Sequence, residues 1–108
     1  MKKLVTGIAV VAVLCLAGSV ARSQDAANGE KLYKAKCASC HGPDGKGETA
    51  AGKATKARDL GSADVKKETD AEWTDIIVKG KNKMPSYDKK LTDAEVKDVV
   101  AYMRSLAK

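Results

Sequence analysis

Cys37-Ala38-Ser39-Cys40-His41 spells CxxCH, and His41 is the only histidine among the 108 residues. That spelling is the attachment signature of a c-type haem. Haem carries two vinyl groups at a fixed separation, and each takes one thiol to become a thioether. Two cysteines three positions apart lie about one helical turn apart, so both sulfurs project to the same side. The adjoining imidazole can then swing under the iron. His41 is the expected proximal ligand, with its second ring nitrogen held by a backbone carbonyl.

Two other chemistries use the same residue types. A structural zinc site takes about four ligands, and two cysteines with one histidine fall short unless a carboxylate completes them. No second CxxC and no HxxxH occurs. A thioredoxin-like redox pair expects a βαβ setting, and no strand pattern surrounds Cys37 and Cys40.

The N-terminus reads as a targeting segment. Lys2 and Lys3 precede an apolar run from Leu4 to Ala17, and Ser19, Ala21 and Ser23 supply the small residues of a cleavage site. The expectation is a signal peptide over residues 1–23, cleaved after about 21–23, with a retained anchor as the alternative. The run is short for a bilayer span, which needs about 20 residues. Cys15 would leave with it. Export to the periplasm agrees with the cysteine chemistry, since thioether attachment belongs outside the bacterial cytoplasm, where thiols must be handled against disulfide formation.

Residues 24–108 then form one small domain of about 85 residues. So short a chain struggles to build a core alone, and aromatic residues make up only 4% with no phenylalanine. A flat apolar cofactor would repair the shortage. The net charge of +6 falls once Lys2 and Lys3 leave, and no basic run alternates with aromatics as a nucleic-acid binder requires. Nucleic acid is not an expected partner.

The expected elements are helices. Gly29, Leu32, Tyr33 and Cys37 recur at helical steps over 26–40, delivering the CxxCH motif at the helix end. Gly29 inside that helix costs about 1 kcal/mol against alanine and implies close approach of a second helix. Gly42-Pro43-Asp44-Gly45 reads as a turn and the rest of 42–61 as loop with room for one short helical turn. Such a loop is suited to wrap a haem edge and its propionates. Thr69 and Thr92 each stand three residues before a glutamate, the capping-box spacing. They open a helix through Trp73, Ile76 and Ile77 to Gly80, and a last helix to about Leu106 with Val96, Val99, Val100 and Met103 on its apolar stripe. Between them, 80–90 is polar and broken by Pro85.

From Ala26 to the C-terminus the chain resembles the class I c-type cytochromes, and most of all their small single-haem bacterial electron carriers. Gly29 and Tyr33, the 37–42 motif, Gly80-Lys81-Asn82-Lys83-Met84-Pro85-Ser86-Tyr87 and Val99-Val100-Ala101-Tyr102-Met103-Arg104 carry the likeness. It implies an all-α small cytochrome c fold, three to four helices wrapped around one covalently bound haem. Cys37 and Cys40 are the attachment residues, and His41 and Met84 the iron ligands. It also implies that the first and last helices cross with Gly29 against Tyr102. The family often has a proline before a leucine in the loop after the motif. Here Lys56-Ala57-Arg58-Asp59-Leu60 has none, which leaves open the carbonyl that orients His41.

Elementary chemistry favours the same methionine. One histidine excludes two-histidine ligation within the chain, Met1 leaves with the leader, and Met103 falls on a helix stripe. Met84 precedes a proline and is therefore pushed to extended geometry, free to reach iron from a loop. The bland alternative is a surface methionine. Trp73 reads chiefly as core, with a haem propionate as its functional alternative, and Arg58 as a propionate partner or a solvated loop charge. Lys79, Lys81, Lys83, Lys89 and Lys90 surround the Met84 loop, as a solvated face or a positive rim that steers acidic redox proteins.

The expected function is periplasmic outer-sphere transfer of single electrons between redox proteins, by a monomer that touches membranes only through partner complexes. No small-molecule substrate and no enzyme activity are expected, because no nucleophile–base pair is visible and both axial positions are filled. Two rivals stand beside it: a haem protein whose Met84 leaves the iron to admit a ligand, and a haem-free zinc or thiol protein.

Overall fold

The computed structural model describes residues 24–108, so the predicted signal peptide lies outside the described residues. Six helical segments follow in chain order: α1 Ala26–Lys36, α2 Ala38–His41, α3 Ala50–Thr55, α4 Ala63–Lys67, α5 Asp70–Lys79 and α6 Asp93–Leu106. There is no β-strand among the described residues, only an isolated bridge between Lys81 and Met84. The all-α expectation holds. Three of the segments are long; the other three are single turns or little more.

Five of the six starts have a side-chain cap, α2 being the one without. Asp25 caps α1 by accepting from the backbone N–H groups of Ala27 and Asn28, and Thr49 and Ser62 cap α3 and α4 from their hydroxyls. At Thr92 the capping box is complete. Its hydroxyl accepts from Glu95 N, and the Glu95 carboxylate accepts from Thr92 N, at 3.2 and 3.0 Å. At Thr69 only half forms: the hydroxyl accepts from Glu72 N, but Glu72 turns to the hydroxyl itself rather than to the backbone. A single bond of that kind is sufficient for a helix start.

α1 crosses α6, and the approach at Gly29 is close, as expected. Gly29 meets the backbone of Asp98 and Val99, where any Cβ would overlap the Asp98 carbonyl. Tyr102 meets Tyr33, one turn along each helix, edge to face with ring centroids 5.3 Å apart. The crossing is thus made by a backbone contact and an aromatic one. Asp98 is 1% exposed and fastens the start of α1, accepting from Asp25 N and Asn28 Nδ2 at 2.8 Å each.

The core gathers Tyr33, Leu60, Val65, Trp73, Ile77 and Leu91 with the buried stripe of α6, namely Val96, Val99, Val100 and Met103. Arg104 ties α6 to the segment before α5. Its guanidinium lies 3.7 Å over the Trp73 ring, pairs with Asp70 at 2.7 Å, and donates to the carbonyls of Lys66 and Glu68.

Candidate functional site

The helix expected to run through Cys40 breaks at Cys37. That residue closes α1 by donating to the Tyr33 carbonyl at 2.8 Å, and its own carbonyl accepts from His41 N at 2.9 Å. Cys37, Cys40 and His41 therefore occupy one separate helical turn, ended by Gly42 at φ 79°. The turn is gripped from outside. Thr49 donates from its hydroxyl to the carbonyl of Ser39 at 2.6 Å, while the same hydroxyl caps α3. Tyr33 donates to the Gly42 carbonyl at 2.6 Å from within the core.

The thiols differ. Cys37 is buried and Cys40 half-buried, and both are free. Burial pushes the Cys37 thiol up to about 11, the nearby Cys40 adds to the rise, and Lys36 works against it. His41 has its pKa lowered, first by burial, with the Arg58 backbone opposing that shift. The imidazole is thus neutral at physiological pH, the form in which it ligates metal. Its Nδ1 is buried and makes no hydrogen bond. Among the described residues, no group of three or more His, Cys, Asp or Glu side chains is arranged to hold a metal ion.

Met84 closes a tight turn. Lys81 and Met84 exchange backbone hydrogen bonds at 3.1 and 2.9 Å, with Asn82 in the left-handed region at φ 55°, where asparagine is tolerated. The segment is fastened on three sides. Tyr87 donates its N–H to the Ile77 carbonyl of α5 at 3.0 Å and its hydroxyl to the Lys36 carbonyl of α1 at 3.0 Å. Lys83 reaches the Ala54 carbonyl of α3 at 3.2 Å.

Cys37, Cys40, His41 and Met84 all line one cavity of about 700 Å³, whose remaining wall includes Leu60, Trp73, Ile77 and Met103. That volume lies inside the range of about 300–1,000 Å³ usual for cofactor sites. The donor set fits an attached haem: two free thiols on one turn, a neutral buried imidazole and a thioether, in largely apolar surroundings. Met103 is 5% exposed and forms both core and cavity wall.

Trp73 is a core residue, its first reading, at 3% exposure, and it donates its indole N–H to the Val65 carbonyl at 3.1 Å. Arg58 borders the cavity, but its side chain pairs with Glu68 at 2.6 Å. The lysine rim is partly engaged too: Lys79 pairs with Asp75 at 2.9 Å and Lys90 sits 5.4 Å over the Tyr87 ring. Sequence reasoning missed the Tyr87 hydroxyl and Glu68. Tyr87 was visible beside Met84-Pro85, whereas Glu68 stands in a segment without periodicity.

Comparison with known proteins agrees with this arrangement. The family model described as cytochrome C oxidase, cbb3-type, subunit III matches residues 24–103. Cytochrome c6 of Porphyra purpurea is 32% identical, over 97% of this chain and 94% of its own length. Among solved structures, the KustC0563 c-type cytochrome superposes with a TM-score of 0.68 at 35% identity, over 74% of this chain and 98% of that one. Cytochrome c6 from the diatom Phaeodactylum tricornutum gives a TM-score of 0.59 at 29% identity, over 77% and 94%. The chain belongs to the c-type cytochromes, small all-helical electron carriers with covalently bound haem.

Proposed function

We propose that this is an exported, monomeric electron carrier in which Cys37 and Cys40 hold one haem through thioethers and His41 and Met84 ligate its iron. The observation that carries the reading is that all four side chains line the same cavity. When bound, the haem supplies a metal centre that accepts and releases one electron.

The chain's own residues do the rest. The separate turn at 37–41 presents both sulfurs and the imidazole together. A thioether from Met84 is a soft donor that favours the reduced metal, and its loop is fastened to α1, α3 and α5, which keeps it from drifting off. Leu60, Trp73, Ile77 and Met103 exclude water, which disfavours additional positive charge inside. A carrier with two side-chain ligands has no open position for a substrate, so we read it as a carrier rather than a catalyst.

The cavity wall includes Lys36, Lys56, Lys81 and Lys83, the last three exposed. Such a rim suits redox partners with acidic docking patches, met briefly and in a salt-sensitive way. The leader over 1–23 supports a periplasmic location, and among the described residues no helix is long and apolar enough to cross a membrane.

Expression in a host able to attach haem tests the reading. Haem staining after denaturing electrophoresis and a mass equal to polypeptide plus one haem are expected. Colourless protein with the bare polypeptide mass would overturn it. Rapid carbon monoxide binding to the native reduced protein at neutral pH would instead favour a ligand-binding haem protein with a labile Met84.

A further inference from the structure

Arg104 stands in the last turn of α6 with its guanidinium 3.7 Å over the Trp73 ring. Every nitrogen of that group is engaged. Nε donates to Asp70 Oδ1 at 2.7 Å, one terminal nitrogen donates to the Lys66 carbonyl at 3.2 Å, and the other to the Glu68 carbonyl. A guanidinium is a planar, permanently charged fork. Partners on α4, on α5 and on the link between them therefore fix both its position and its plane.

This charge lies one ring away from the cavity. Trp73 and Met103, the chain neighbour of Arg104, both line it, whereas Arg104 and Asp70 do not. The two halves of the ion pair also differ in exposure: the Arg104 side chain is 28% exposed and that of Asp70 58%. Water screens the anion more than the cation, and it is the cation that stacks on the cavity wall. Among the described residues, no Asp or Glu side chain lines the cavity to offset it. Seen from inside, the positive end of the pair dominates.

We propose that Arg104 is a redox-tuning residue: a cation held against Trp73 that raises the reduction potential of the group bound in the cavity. The proposal rests on the reading of that group as a haem with both axial ligands retained. Uptake of one electron from a donor protein then lowers the charge on iron by one and makes or breaks no bond. A fixed cation close to the site disfavours the more positive, oxidised state.

A purely mechanical role would use the same contacts, since Arg104 ties α6 to α4 and α5. The two roles differ in sign. Where charge acts, removing the cation and removing its anion move the potential in opposite directions. A loosened tether moves it the same way from either side.

The test is spectroelectrochemistry of the holoprotein at low ionic strength, comparing the wild type with Arg104→Gln, Arg104→Lys and Asp70→Asn. Arg104→Gln is expected to lower the potential, Arg104→Lys to stay near the wild type, and Asp70→Asn to raise it. An unchanged or higher value for Arg104→Gln, an Arg104→Lys value as low as that of Arg104→Gln, or an unchanged or lower value for Asp70→Asn would overturn the proposal. Should Arg104→Gln fail to fold, the other two variants decide, because lysine keeps the charge and Asp70 is exposed. The haem reading fails separately: wild-type protein without covalent haem on a denaturing gel defeats it before any potential is read.

Discussion

Gly29 and Asp98 touch backbone to backbone, with no room on Gly29 for even a methyl carbon. The contact seats α1 on α6 and so fixes the angle at which the 37–41 turn leaves the core. Both neighbours at the contact are main-chain atoms, which cannot rotate away as a side chain can. Gly29→Ala is therefore expected to cost about 3 kcal/mol or more, at the upper end for overpacking, despite alanine's better helix propensity. Urea denaturation of the holoprotein checks this, and a neutral or stabilising result would contradict the close crossing.

Tyr33 stays a donor throughout the working pH range, because burial, aided by neighbouring Cys37 and Tyr102, holds its phenol well above its ordinary value. Tyr33→Phe removes the bond to the Gly42 carbonyl but keeps the ring against Tyr102. That carbonyl also accepts from Gly45 N at 3.2 Å, so it is not left alone. The expected loss is about 1 kcal/mol, near the net worth of one hydrogen bond rather than of an orphaned buried group. A shift in denaturation midpoint of that size, with haem content unchanged, is the outcome to look for.

Met84→Ala is expected to keep covalent haem, because the proposed thioethers are to Cys37 and Cys40. It should lower the reduction potential and admit external ligands such as carbon monoxide. Persistence of the sulfur-to-iron charge-transfer band in this variant would exclude Met84 as the ligand.

Acid should weaken the fold through His41. Its folded pKa lies below the ordinary value because the ring is buried, so below about 6.5 the unfolded chain takes up a proton that the folded one does not. Stability from this group is present above that pH and is lost as pH falls towards the lowered folded value. Denaturant midpoints measured at pH 7 and pH 5 should decrease in that order. A flat profile would mean that His41 is accessible to protons in the folded state.

The long helices were legible because their signals are local. Thr92 and Glu95 announce the start of α6, and its buried Val96, Val99, Val100 and Met103 follow helical spacing. The candidate site could be read for a different reason: CxxCH is a chemical spelling, and Met84 stood out by its proline and by elimination. The rest depended on distant pairings. The break at Cys37 lies beside a hydrogen bond from the Tyr87 hydroxyl, 51 positions away, to the Lys36 carbonyl, and α4 is a five-residue turn too short to show a period. Buried Asp98 interrupts an apolar pattern for the sake of the Asp25 backbone N–H and the Asn28 side-chain amide, 73 and 70 positions away. The Arg58–Glu68 pair likewise joins two stretches that read, one at a time, as featureless loop.

The Tyr87 hydroxyl rests on the carbonyl of Lys36, the residue immediately before Cys37. The segment bearing one end of the donor set is thereby bolted to the segment bearing the other. Local opening of either half must tug on its counterpart, so fraying at the mouth and loosening at the anchored turn become a single cooperative event, and the distance between the two ends is set by the polypeptide before any guest arrives.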